Sequence, residues 1–135
     1  MSDFVDVKNL FLGINILVAE DTRINRDVLH YMLKETGISI DFAVDGKNAF
    51  EIFKANPEKF KLIMMDIHMP KIDGYEAARR IRSSGGLGKQ IPIIAVTANR
   101  EKIDIDKCFA AGMNGHIAKP VNLEELLATL KKYLA

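Results

Sequence analysis

What this chain of 135 residues lacks narrows its class before any motif is read. It has one cysteine, Cys108, so an internal disulfide is impossible and a reducing, cytoplasmic setting is expected. No apolar stretch approaches the ~20 residues that span a bilayer as a helix. No charge sign dominates, since 19 basic and 18 acidic residues leave a net charge of +1. Nucleic-acid binding would need a basic patch, and Arg79-Arg80-Arg82 reads instead as a solvated helix face. Met1 to Gly13 carries Asp3, Asp6 and Lys8 without a clean apolar segment, so no secretory leader is expected. Internal repeats, low-complexity tracts and linkers are also missing.

What is present is a 48% hydrophobic content, enough for one compact domain with its own core. Apolar runs alternate with helical patterns five times. Ile14 to Ala19, Ser39 to Ala43, Leu62 to Met65, Ile91 to Val96 and Ile117-Ala118 read as strands. The continuous runs suit strands buried on both faces of a parallel sheet. Between them, Ile24, Val28, Leu29, Met32 and Leu33 form an inward stripe, as do Ala49, Ile52 and Phe53, and Ala77, Ala78 and Ile81. A fourth helix is expected over Arg100 to Ala111, with Cys108 as a small core residue rather than a catalytic thiol. The fifth opens with a capping box, Asn122 and Glu125, and turns Leu123, Leu126, Leu127, Leu130 and Tyr133 inward. A repeated βα unit demands right-handed crossovers, giving one (βα)5 domain over 14–134 behind a loosely held lead-in over 1–13.

Parallel strands bring their carboxyl ends to one edge, where open α/β sheets bind ligands. Glu20-Asp21, Asp66, Thr97 and Lys119 all fall there. At an effective dielectric of ~20, two like charges 4 Å apart repel by about 4 kcal/mol. Clustered carboxylates therefore persist only if protonated or neutralised by a cation. An oxygen-only donor set suits Mg²⁺, and the implied chemistry is phosphoryl transfer onto a carboxylate. Asp66, between the acidic pair and the later Thr97 and Lys119, is the best nucleophile candidate. Lys119 offers a compact positive charge, and Thr97 a hydroxyl that could bond a phosphate oxygen only after transfer. Taken singly, Asp66 could cap a loop, Thr97 could satisfy a strand end and Lys119 could be solvated. Four separate strand ends make coincidence a poor account.

The stretches Ile16 to Asp21, Met65 to Gly74 (Met-Asp-Ile-His-Met-Pro-Lys-Ile-Asp-Gly), Val96-Thr97-Ala98 and Ala118-Lys119-Pro120 resemble the receiver domain of two-component response regulators. The resemblance covers about residues 14–134. It implies a doubly wound, flavodoxin-like five-stranded sheet in strand order 2-1-3-4-5. It implies Asp66 as phosphoacceptor, and Mg²⁺ (with Mn²⁺ as a substitute) held by Asp21, Asp66 and the His68 backbone carbonyl, with Glu20 acting through water. Thr97 matches the switch hydroxyl, Lys119 the phosphate-binding lysine, and Lys119-Pro120 the family's cis peptide. His116 stands where the family's aromatic switch residue is usually Tyr or Phe. A pH-sensitive switch and a plain strand residue are equally open readings there. His68 and Asn99, two past Asp66 and two past Thr97, match positions that tune the lifetime of the phosphoryl group.

The Ala-Glu-Asp-x-x-x-Asn opening, with Asn25, resembles receivers fused to sensor histidine kinases, so a hybrid-kinase parent is favoured over a stand-alone regulator. The donor would be a kinase phosphohistidine or a phosphohistidine domain, with a phosphotransfer or output domain downstream. The readout would be the face of helix four, strand five and helix five, including Ile103, Lys107, His116 and 122–134. No membrane or nucleic-acid contact is expected of this domain, and the state is a monomer or a weak phosphorylation-dependent dimer. Two rival readings are an aspartyl phosphatase, which would want an Asp where His68 stands, and an interaction module with a dead site. Gly85-Gly86-Leu87-Gly88-Lys89 departs from a phosphate loop and reads as a flexible turn. His30 reads as helix surface or packing, and Met64, Met65 and Met69 as core.

Overall fold

The computed structural model describes residues 7–98 and 102–134, the side chains of 102 and 103 excepted. Among them, strands β1 (Asn15–Ala19), β2 (Ser39–Ala43), β3 (Ile63–Asp66), β4 (Ile93–Thr97) and β5 (Gly115–Ala118) alternate with helices. The helices are α1 (Arg23–Leu33), α2 (Gly46–Ala55), α3 (Gly74–Ser83), α4 (Lys102–Ala110) and α5 (Leu123–Leu134). All strand pairs are parallel, in the order β2-β1-β3-β4-β5, as the resemblance implied.

Because successive strand residues point to opposite faces, an unbroken apolar strand feeds two cores at once. Leu17, Ile63 and Met65 join Phe53, Ile81 and Cys108 under α2, α3 and α4. Ile16, Val18, Met64 and Ile94 join Leu29, Leu33, Leu126 and Leu130 under α1 and α5. Side-chain caps fix where helices begin. Asp45 accepts from Asn48 N–H (2.7 Å) at α2, and Asp73 from Glu76 N–H (2.9 Å) at α3. Asn122 accepts from Glu125 N–H (3.0 Å), while the Glu125 carboxylate accepts from Ala118 N–H (3.3 Å). The expected capping residues therefore also tie α5 to the end of β5.

Several expectations change. Ile24 (69% exposed), Val28 (44%) and Leu123 (43%) do not face the core. Ile24 and Leu123 occupy the first turns of α1 and α5, ahead of the buried Leu29, Leu33, Leu126 and Leu130, whereas Val28, next to Leu29, lies on the side of α1 turned from the sheet. Residues 7–13 are not loosely held. Phe11 is buried in the α1/α5 core, and Asn9 and Phe11 donate to the Glu35 and Thr36 carbonyls (both 2.8 Å). The glycine-rich turn is a formed 3₁₀ turn over Gly86–Lys89 with Gly88 buried. Arg79 and Arg80 are a solvated face paired with Glu76, but Arg82 folds inward. Its guanidinium donates to Gly112 O (2.8 Å), Gly88 O (3.0 Å), Ile91 O (2.7 Å) and Asn114 Oδ1 (2.8 Å). No described helix is long and apolar enough to cross a membrane.

Candidate functional site

Glu20 follows β1, Asp66 ends β3, Thr97 ends β4 and Lys119 follows β5. Register puts Asp66 opposite Val96 and Thr97 opposite Ala118, so the four positions meet at one carboxyl edge. Lys119 N–H donates to Thr97 O (3.0 Å), which locks the last strand beside the fourth. The Lys119–Pro120 bond is cis.

Lys119 Nζ lies 2.8 Å from Asp66 Oδ2 and 3.0 Å from Glu20 Oε1. Carboxylate oxygens of Glu20, Asp21 and Asp66 all lie within 4.8 Å of one another, the first and last buried and Asp21 exposed. Backbone donors orient this cluster. Thr22 N–H reaches Glu20 Oε2 (3.0 Å), and His68 N–H reaches Asp66 Oδ1 (3.2 Å). Asn25 Nδ2 adds a longer bond to Glu20 Oε1 (3.4 Å), and Arg26 holds the Glu20 carbonyl (2.8 Å).

Among the described residues, Lys119 is the cation paired with this cluster of three carboxylates, which leaves negative charge uncompensated. Burial pushes the Asp66 carboxyl above its ordinary range, and Glu20 repulsion adds to that. Lys119 and the His68 N–H pull the other way without overcoming it. Burial also acts to raise Glu20, but Thr22 N–H and Lys119 together hold it below the usual value. Lys119 is disfavoured by burial yet ends above its ordinary range, because Asp66 and Glu20 both bond it. A cluster of oxygen donors with unbalanced charge fits a hard divalent cation such as Mg²⁺.

Thr97 is buried at the edge, His68 has an exposed side chain beside Asp66, and His116 is exposed on β5 opposite Ala95. Asn99 and the side chain of Ile103 lie outside the described residues. A mainly apolar cavity of about 590 Å³ reaches Glu20 and Lys119 from the α1 side, floored by Val18 and Val96. Its lining includes Glu20 and Lys119 but not Asp21 or Asp66. Sequence reasoning missed the Asn25 and Arg26 contacts to Glu20; both follow Glu20 within two helical turns, which is the signal that could have found them.

Residues 16–131 match the family described as response regulator receiver domain. The chain is 37% identical over 127 residues to the osmosensing histidine protein kinase SLN1 of Saccharomyces cerevisiae, covering 91% of this chain and 10% of that protein. It is 38% identical over 119 residues to the hybrid signal transduction protein dokA of Dictyostelium discoideum, covering 88% of this chain and 7% of that protein. Across such curated relatives the chain spans 7% to 15% of their length. Among solved structures, it resembles the receiver domain of a Pseudomonas aeruginosa sensor histidine kinase with magnesium in its active-site cleft. That match has TM-score 0.79 and 37% identity, over 90% of this chain and 97% of the other. It also resembles the Saccharomyces cerevisiae Ssk1 receiver domain, co-crystallised with the phosphotransfer protein Ypd1. There the TM-score is 0.81 with 32% identity, over 91% and 90% of the two chains.

Proposed function

The chain belongs to the response regulator receiver domain family, and from that premise we propose that Asp66 accepts a phosphoryl group from a phosphohistidine. An Asp66 carboxylate oxygen attacks phosphorus, the N–P bond breaks, and its electron pair returns to the imidazole nitrogen, which takes a proton from solvent. The product is an acyl phosphate, later hydrolysed to Asp66 and inorganic phosphate. The observation that carries this reading is Lys119 Nζ held between Asp66 and Glu20, with Asp21 completing the acidic cluster.

Asp21, Asp66 and the His68 carbonyl would hold Mg²⁺, with Glu20 acting through water and Mn²⁺ as a substitute. When bound, the metal supplies positive charge to the phosphoryl oxygens. The protein's own part is positioning and electrostatics. His68 N–H and Lys119 orient the two oxygens of Asp66. As the acyl phosphate forms, Lys119 gives up its contact with Asp66 and follows the charge onto a phosphoryl oxygen. The Thr97 hydroxyl gains an acceptor that exists only in the phosphorylated state. That bond draws the segment after Thr97 inward and biases the α4–β5–α5 face between two pre-existing arrangements. His116, exposed on that face, is the candidate for a second moving part, and His68 and Asn99 for control of water access to the acyl phosphate.

The domain would process only its own phosphorylation and dephosphorylation, as one module of a cytoplasmic hybrid-kinase chain. Its donor would be a kinase or phosphotransfer histidine, and its recipient a further phosphotransfer or output domain. Acetyl phosphate with Mg²⁺ tests the chemistry. Wild type should be labelled and Asp66→Asn should not; label retained in Asp66→Asn rules Asp66 out.

A further inference from the structure

The loop 67–73 between β3 and α3 is pinned at three points. Gly74 lies so close to the Asp66 carbonyl that no Cβ would fit, and its N–H donates to Ile67 O (2.9 Å). Ile72 lies equally close on Gly46, the first residue of α2. Lys71 Nζ stands 3.6 Å from Oδ2 of Asp45, the buried carboxylate that caps α2.

Between these pins the backbone of Lys71 is left-handed, with φ 70°. A proline followed by a positive φ is the order of a type II turn, whose third position takes glycine or asparagine. Among the described non-glycine residues, only Asn9 shares this region, and asparagine tolerates it. Lysine adopts it only at a cost, which the contacts at either end of the loop offset, so residue and contacts hold the conformation together. Strain of this kind beside a reacting group points to a positional demand.

What the loop positions is on its inner side. His68 N–H holds Asp66 Oδ1 while Lys119 holds Oδ2. One of the two orienting contacts on the carboxylate therefore comes from this loop. We infer that Lys71 is a positioning residue, whose left-handed backbone fixes loop 67–73 and so presents the Asp66 carboxylate in its reactive orientation. The inference rests on Asp66 being the acceptor. The Lys71–Asp45 pair, 3.6 Å long and with an exposed lysine, is too weak to carry the effect alone, so it is assigned to the backbone.

The test compares wild type, Lys71→Gly and Lys71→Asn in the full chain, with acetyl phosphate and Mg²⁺ as the probe. Glycine relieves the strain but frees the loop, so labelling should slow ~10-fold while the melting temperature holds or rises. Asparagine keeps the left-handed preference and should label at close to the wild-type rate. Hydrogen exchange at the His68 amide is the second readout, and protection should fall in Lys71→Gly only. A Lys71→Gly variant that labels and protects like wild type overturns the inference. So does one whose melting temperature and labelling fall together, because Lys71 would then be ordinary scaffold. If wild type itself takes no label, the acceptor reading fails, and His68 protection still decides whether Lys71 positions the loop.

Discussion

The two edges of the sheet each fix a partly buried cation, and they do so in opposite ways. At the carboxyl edge, Lys119 is held by two carboxylates, at 2.8 and 3.0 Å. At the amino edge, Arg82 is held by three backbone carbonyls and the Asn114 side-chain oxygen, with no carboxylate in salt-bridge reach among the described residues. The arginine knot joins α3 to the 3₁₀ turn, to the approach to β4 and to the loop before β5. Asn114 extends it, accepting from Ile93 N–H (2.9 Å) through the same oxygen and donating its own N–H to Ile93 O (2.7 Å). A planar five-donor fork suits several neutral acceptors at once, whereas an ammonium suits a charge it must later release. A cation among neutral oxygens is already satisfied. A cation among too many carboxylates leaves charge that a ligand can still neutralise.

The strongest way to break this contrast is Arg82→Met. It strips donors from several half-buried acceptors, and with partial rescue by water the expected loss is about 3 kcal/mol. For a domain of this size that lowers the melting temperature by about 10 °C. Labelling of Asp66 per folded molecule should not change, and Arg82→Lys should not restore stability, because one ammonium cannot reach the same set. If labelling fell while stability held, Arg82 would belong to the chemistry and the two edges would not be separate devices.

Mg²⁺ sharpens the contrast from the other edge. At ten times its dissociation constant, the ion should stabilise the fold by about 1.4 kcal/mol through mass action. The increment should be the same in Arg82→Met and largely lost in Asp21→Asn, read by thermal denaturation with and without the ion. An increment that survives Asp21→Asn would place the cation elsewhere.

The carboxyl edge was far more legible in the sequence than the amino edge. Each of its members is a charged or hydroxyl side chain at the end of an apolar run, and parallel pairing brings those ends together. The arginine knot has no such signature. Its acceptors are mostly main-chain carbonyls of Gly88, Ile91 and Gly112, and any residue carries one. Arg82 sits in sequence beside two solvated arginines, and only its place on α3 turns it inward. Phe11 escaped for a related reason, since the run Leu10-Phe11-Leu12 is too short to show a period. Ile24 and Leu123 misled in the opposite sense, because period 3.6 marks a face without saying how far the helix overlaps the sheet, and Val28 because the period does not fix how wide the buried face is. The left-handed backbone of Lys71 is invisible from a residue type that ordinarily avoids it.

The smallest expected effect is the most discriminating, because it concerns a sign. Without Mg²⁺ at neutral pH, Asp66→Asn should be more stable than wild type by about 1 kcal/mol, as is common when a strained site loses its function. Burial, and then Glu20 repulsion, raise the Asp66 pKa from its ordinary 3.8, so the folded state prefers the protonated acid. Wild type therefore loses stability as pH rises from 3.8 through the raised value, and asparagine, which cannot ionise, does not. The advantage of the variant should open over that window, level off once Asp66 has ionised, and close in acid. Glu20 works in the other direction, contributing stability above its ordinary 4.5 that is lost as pH falls through its lowered folded pKa. Lys119 contributes below its ordinary 10.5 and loses that contribution as pH rises through its raised folded pKa. The substitution also takes a partner from Lys119 and a like charge from Glu20, so the difference between the two denaturation curves is read in the window above 3.8, where Asp66 itself ionises. Should Asp66→Asn prove less stable than wild type at neutral pH, the bond from Lys119 would outweigh burial and repulsion. The carboxyl edge would then be scaffold of the same kind as the arginine knot.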